Sequence, residues 1–330
     1  MPTTPAESGL WVCTHPAKIP DVNTAAVAYL NGKWVPAAQV AVPVYDAGLV
    51  LGVAVAEQVR TFRGRLFRLE QHLTRLARSL DIVQVDPGIL LGRLVERAEE
   101  LARRNHALAD PNDDLGLSIF ITPGPYATMA ALAAAEERSG PTVCLHTYPL
   151  PFHIWADKYE RGQVLVTTDV QQVPAACWPP ELKCRSRMHY YLADRQARQV
   201  DPLARALLLD QDGYVLEAST ANILAFYEGE GLVSPPREKI LPGVSMNFLA
   251  ELAVDLGISV GHRELRVDDV LQADEVVLCS TSPAVWPVVR LNGRPIGNGR
   301  PGATFRRLLA AWSQRVGVDI PAQARRFAER

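Results

Sequence analysis

Apolar and polar residues change rhythm several times along the chain, and each rhythm predicts an element. Apolar residues run together in AAVAYL from Ala25, stop at Asn31-Gly32 and resume in KWV. Asn-Gly takes up left-handed backbone at little cost, so apolar runs on either side of it predict a two-residue hairpin. AEQVRTF and RLFRL around Arg63-Gly64 predict a second hairpin on looser alternation. The spacing then turns helical. Leu69, Leu73, Leu76 and Leu80 share one face, with Arg75 and Arg78 off it. Asp86-Pro87 reads as the N-cap and first turn of a helix through GILLGRLVERAEELARRNHA. LGLSIFI and TVCLHTY read as short buried strands on either side of the loop TPGPY.

Pro149-Leu150-Pro151 interrupts both rhythms, because proline lacks the amide hydrogen that helix and strand use. The expected organisation is an irregular, proline-bearing arm over 1–23 and a smaller N-terminal α/β domain over 24–148. A linker over 149–157 and a larger C-terminal domain over 158–330 follow. The second half reads as the strand VLVTTDV, the loop QQVPAACWPPEL and a helix from about Arg187 to Gln199. The strands ARALLLD, YVLEAS and NILAFY come next, then the helix VSMNFLAELAVDLG ended by Gly257. The strand DEVVLCS and the closing helix TFRRLLAAWSQRV complete it. No regular βαβ alternation runs through either half, which points to α+β or irregular α/β architecture.

Composition narrows the function. The chain has 330 residues, 48% hydrophobic and 21% charged, as globular chains of about two domains do. Its 34 basic residues stand against 36 acids, so no global positive field favours nucleic acid. The longest stretch free of charge and strong polarity runs only from Ala47 to Ala56, while a membrane span takes roughly 20 residues. The first residues have neither the basic start nor the apolar stretch of a signal peptide, and a cytoplasmic location is expected. Five cysteines without a CxxC read as small buried hydrophobes in a reducing compartment. The histidines form no HxxxH-like pair, so no metal site is expected. Nor is there a GxGxxG after a strand, a GxxxxGK[ST] or a GxSxG. Only five basic residues are lysine (18, 33, 158, 183 and 239), which limits the amines open to nucleophilic chemistry.

Taken singly, the chemical candidates have ordinary explanations. Lys183 follows a proline-rich loop between Leu182 and Cys184; in apolar surroundings its amine would be a nucleophile, elsewhere a surface charge. Glu217 interrupts the apolar strand YVLEAS, where an acid usually faces water. Gly243-Val244-Ser245 and Ser280-Thr281-Ser282 could cradle phosphate or could be routine caps.

Five segments in order, AEQVRTFRGRLFRLEQHLTRLARSL, LKCRSRMHYYLADRQA, ALLLDQDGYVLEASTANILAF, ILPGVSMNFLAELA and DEVVLCSTSPAVWPVVRLNG, change that weighing. With them the chain, from about Ala25 to Phe305, resembles the class IV, or fold type IV, pyridoxal-phosphate enzymes. These are the branched-chain aminotransferases, D-amino acid aminotransferases and aminodeoxychorismate lyases. The resemblance implies two domains with the active site in the cleft between them, pyridoxal 5′-phosphate as cofactor, and at least a homodimer. It gives Lys183 the Schiff-base position and the proton-moving role, and sets Glu217 against the pyridine nitrogen. Arg75, Val244, Ser245 and Thr281 take the phosphate positions, and Leu241 packs on the ring face.

Substrate positions depart from the family. Ala56 stands where a tyrosine is usual, Pro123 replaces an arginine, and Pro283 removes one of two amide donors, leaving Ser282. Arg60 and Arg187 are the remaining candidates for a substrate anion. The implied reaction is transfer of an amino group from an amino acid or amine to a 2-oxo acid. β-Elimination of the aminodeoxychorismate lyase type, or cofactor binding without catalysis, are the alternatives.

Overall fold

The computed structural model describes residues 26–133 and 140–329, so the arm expected at 1–23 lies outside the described residues. The described strands form two sheets. The first contains β1 (Val27–Leu30), β2 (Lys33–Pro36), β3 (Val55–Phe62), β4 (Arg65–Leu66), β5 (Leu115–Thr122) and β6 (Thr142–Pro149). Their order is β2-β1-β6-β5-β3-β4, antiparallel throughout. Both predicted hairpins are present. Asn31 and Gly32 have φ of 46° and 87°, and Arg63 and Gly64 have 54° and 72°, the left-handed pairs that match strand twist. Left-handed backbone is costly for an arginine. Asp114 offsets that cost by accepting from the backbone N–H groups of Arg63 and Gly64.

α1 (Leu69–Val83) lays Leu69, Leu73, Leu76 and Leu80 on this sheet, beside Leu94, Ala98 and Leu101 of α2 (Leu91–His106). Burying four leucines is worth about 6–12 kcal/mol at roughly 1.5–3 kcal/mol each, as an upper bound. The expected cap at Asp86-Pro87 is corrected: α2 begins at Leu91 after Leu90. The Asp86 carboxylate instead accepts from Gly88 N–H at 2.8 Å, and Gly88 has φ of 64°. That closes a local turn in place of a helix start.

The second sheet contains β7 (Gln163–Thr167), β8 (Ala204–Leu209), β9 (Val215–Ala218), β10 (Ala221–Tyr227), β11 (Gly231–Ser234), β12 (Val260–His262), β13 (Glu275–Ser280), β14 (Ala284–Leu291) and β15 (Arg294–Pro295). The order is β12-β11-β10-β13-β14-β7-β8-β9, and β9 pairs again with β10, so part of the sheet closes into a ring. Ring closure hides backbone edges that would otherwise lie open. α3 (Met188–Val200) packs Ala193 and Ala197 against Val166, Ala206 and Leu208. α4 (Val244–Asp255), α5 (Ala303–Val316) and α6 (Ile320–Arg326) pack around the larger core.

The stretch expected as a linker, 149–157, is drawn inward, with Phe152 and Trp155 buried in the larger core. Phe67, just after β4, meets the Phe248 ring of α4 edge-on at 4.9 Å and so joins the two halves. Cys144 and Cys279 are buried as expected, whereas Cys184 is half-buried and Cys177 exposed; Cys13 lies outside the described residues. Among the described residues no helix is long and apolar enough to cross a membrane.

Candidate active site

A cavity of about 300 Å³ opens where α1 and β3 face the turns of the second sheet. Lys183 enters it from the end of the proline-rich loop. Its segment is fixed by strand-like pairing to the start of β3: Ala56 N–H donates to Lys183 O at 3.0 Å, and Arg185 N–H to Ala54 O at 2.7 Å. The amine donates to Ala56 O at 2.9 Å. Burial pushes the amine down to about 7; Glu57 opposes this, while Arg187, Arg75 and Arg185 add to it. Lys183 is thus not a surface charge but a buried amine, partly neutral near pH 7.

Glu217, on β9, is buried and faces the same cavity. Its Oε1 accepts from the Gln172 amide at 2.6 Å and from the Tyr190 hydroxyl at 2.5 Å. Burial raises the carboxyl, and the two donors, with Arg187, work against that rise. A cationic ring nitrogen placed beside this group would favour its charged form.

A third wall suits a phosphate. α4 begins at Val244 with Gly243 as N-cap and no capping side chain, leaving Val244 and Ser245 at an open, positive helix end. Asn222 supports this turn through a 3.0 Å bond from its amide to Leu241 O, and a Cβ on Gly243 would collide with that same amide. Leu241 and Thr281 line the cavity beside them. So does Arg75, although sequence spacing set it off the apolar face of α1. Its Nε and Nη2 bond Glu57 at 2.7 and 2.8 Å, Nη2 also lies 3.5 Å from His72 Nδ1, and Nη1 bonds Pro242 O at 2.9 Å, which leaves one of five N–H donors for a ligand. Burial would raise Glu57, but Arg75 and Lys183 outweigh it and hold the carboxyl well below its usual range.

The three residues expected at the substrate divide. Arg187, at the start of α3, and Ser282 line the cavity. Arg60 is not among the lining residues and is fully buried. Its guanidinium is committed to Thr61 O, Ser282 O and Gln323 Oε1, and it lies over the Phe62 ring. The substrate role expected of Arg60 is corrected accordingly: it ties the 281–283 turn to α6. Tyr159 secures the same turn through a 2.8 Å bond to Pro283 O.

Glu57, Tyr190, Gln172 and Asn222 were missing from the sequence reading. The only local signal for Glu57 is a charged residue inside the apolar run of β3. The others act through contacts between distant segments and leave no local pattern. Trp155, Trp286 and Arg205 complete one side of the cavity.

Comparison with known proteins comes to the same place. Residues 54–291 match the family described as "Amino-transferase class IV". D-alanine aminotransferase of Staphylococcus aureus (strain N315) is 28% identical over 284 residues, covering 85% of this chain and 94% of that protein. The crystal structure of the T.th. branched-chain amino acid aminotransferase complexed with 4-methylvaleric acid superposes with a TM-score of 0.78 at 25% identity. That match covers 91% of this chain and 96% of the other. A structure of the T.th. enzyme with pyridoxamine 5′-phosphate gives a TM-score of 0.77 at 24% identity and the same coverage.

Proposed function

Because the chain belongs to the class IV aminotransferases, we propose that it holds pyridoxal 5′-phosphate in this cavity and moves an amino group from an amino acid or amine to a 2-oxo acid. The observation that carries this reading is one cavity combining a buried amine, a buried carboxyl and an uncapped helix end beside an arginine with a free donor. The donor set fits the cofactor's chemistry: phosphate at Arg75, Val244, Ser245 and Thr281, ring nitrogen at Glu217, ring face on Leu241. When bound, the cofactor supplies an electron sink for the carbon that loses its proton.

The chain's residues do the rest. Lys183 Nζ anchors the cofactor, and once free it takes the proton from the substrate's amine-bearing carbon. Its low proton affinity leaves much of it unprotonated near pH 7, as a base must be. Glu217, held in place by Tyr190 and Gln172, would meet the cofactor's ring nitrogen and favour its protonated form. Glu217→Gln is expected to bind cofactor with turnover reduced about 10²–10³-fold, the scale of a lost preorganised charge. Steady-state rates beside the cofactor's absorbance check it, and undiminished turnover would remove Glu217 from the reaction.

The reaction itself is tested by presenting D- and L-amino acids and simple amines to the pyridoxal form and following pyridoxamine formation. Conversion to the pyridoxamine form supports transamination. Release of pyruvate with the aldehyde form retained would establish the lyase reaction instead, and no change with any donor would sink both. We place the chain in a homodimer. Leu51 and Met188 are exposed on neighbouring segments joined by the Ser186 hydroxyl's bond to Gly52 O, an apolar surface suited to a second copy. A monomeric mass in sedimentation would overturn that placement.

A further inference from the structure

Two residues with strained backbone flank the turn over 280–283. Ser280, Thr281, Ser282 and Pro283 line the cavity. Ala284, which follows them, has φ of 66°. Thr220, whose carbonyl accepts from the Ser280 hydroxyl at 3.0 Å, has φ of 65°. Residues with a Cβ keep left-handed backbone only where their surroundings over-determine it. The holders lie on the protein side of the turn. Arg60 donates to Ser282 O at 2.5 Å, and Tyr159 donates to Pro283 O at 2.8 Å.

Arg60 is in turn held by one side chain of α6. Its Nη2 donates to Gln323 Oε1 at 2.7 Å. The Gln323 amide nitrogen donates to Asp114 Oδ2 at 2.8 Å and to Asn112 O at 3.0 Å. Arg60, Gln323 and Asp114 are all buried. An amide suits this place because its oxygen accepts from a cation while its nitrogen donates to a carboxylate; turned over, it would oppose both. The two ends are firmly seated. Asp114 also accepts from the Thr61 hydroxyl and from Arg63 and Gly64 N–H, while α6 sets Ile320 and Ala324 in the larger core. Gln323 thus joins the first sheet, the last helix and the cavity turn without lining the cavity itself.

We propose that Gln323 is a positioning residue: by fixing the Arg60 guanidinium it holds the 280–283 turn in its strained form, with Thr281 and Ser282 presented to the cavity. The inference rests on the cofactor reading for what Thr281 contacts, a phosphate, though not for the shape of the turn. Without the amide, the Arg60 cation is drawn towards the Asp114 carboxylate and away from Ser282 O. Tyr159 alone then grips the turn, and the flanking strain is released into motion.

The deciding experiment sets Gln323→Met, which fills the space without hydrogen bonds, beside Gln323→Glu, which keeps an acceptor for Arg60. In the cofactor-free protein, amide hydrogen exchange over 280–284 should quicken about tenfold in Gln323→Met and stay near the native rate in Gln323→Glu. Absorbance titration should show pyridoxal 5′-phosphate bound about tenfold more weakly by Gln323→Met, and pyridoxal, which has no phosphate, bound as before. Gln323→Glu should bind both as the native protein does. Thermal unfolding checks that the variants fold. Gln323→Asn, one methylene too short for the span, should behave as Gln323→Met and replaces it if the apolar variant does not fold. Unchanged exchange, equal weakening of both ligands, or a Gln323→Glu variant as impaired as Gln323→Met would overturn the proposal. Should the native protein bind neither ligand while exchange responds as stated, the cofactor reading falls and the positioning of the turn stands.

Discussion

Lys183→Ala is expected to lose the covalent cofactor adduct and to lower turnover by about 10⁴-fold or more, since it removes both the anchor and the base. Absence of an adduct fixed by borohydride checks the first loss, and single-turnover kinetics the second. An adduct that persists unchanged would reassign the lysine. The same residue makes a stability prediction. Folding lowers its proton affinity from an ordinary lysine value near 10.4 to about 7, so the unfolded chain binds the proton more readily. Protonation therefore opposes folding. The penalty is absent above the unfolded value, grows as pH falls from about 10 towards 7, and is complete below about 7. Lys183→Met should raise the melting temperature of the cofactor-free protein at pH 6 and have little effect above pH 10. A gain equal at both pH values would show that packing, not charge, sets the difference. Sites built for function commonly cost stability in this way.

Arg75→Met is expected to destabilise the chain by about 3–5 kcal/mol, because it leaves Glu57 charged, wholly buried and short of its main partner. Burial alone would raise Glu57, and Arg75 is the largest influence holding it down. His72, itself pushed towards the neutral form by burial, bonds Glu57 at 2.8 Å but cannot replace a full charge. The double variant Arg75→Met, Glu57→Gln should recover most of the lost stability, since both charges leave together. It should not recover cofactor affinity, because the phosphate still lacks its arginine. Denaturant unfolding measures the first and cofactor titration the second. Full recovery of affinity would mean that Arg75 serves only to neutralise Glu57. The pair also has a pH signature. A carboxyl held below its usual range stabilises the fold above the unfolded value near 4.3 and loses that contribution as pH falls through the folded one. Glu57→Gln should therefore flatten the acid limb of the stability curve.

The elements that the residue pattern predicted well are those whose stabilisation is local. Asn31-Gly32 forms its hairpin because both residues tolerate positive φ, and Leu69 to Leu80 form a helix because one face is apolar over about three turns. Asp86 went the other way for an equally local reason, a glycine two residues on that turns the chain before a helix can start. The 149–157 stretch looked like a spacer because two prolines break both periods, yet Phe152 and Trp155 give it an apolar content that the core absorbs. α6 supplied no expectation at all, although its Gln323 joins Arg60 to Asp114 across 263 and 209 residues of sequence.

By itself the sequence determined the two-part α/β architecture and, through five ordered segments, singled out Lys183, Glu217, Arg75, Val244, Ser245 and Thr281. Residue type and order are sufficient for that, since a family motif is carried along one strand or loop at a time. Only the tertiary structure decided the state of those groups. The Lys183 amine meets Ala56 O across 127 residues, and Glu57 sits under Arg75, so burial and charge pairing set their proton affinities. The arginines were sorted in the same way. Arg60 is consumed by Ser282 and Gln323, whereas Arg187 and Arg205 line the cavity. A guanidinium has the same formula in each place. What it does depends on which partners the fold brings within about 3 Å, and that distance is not written in any one segment.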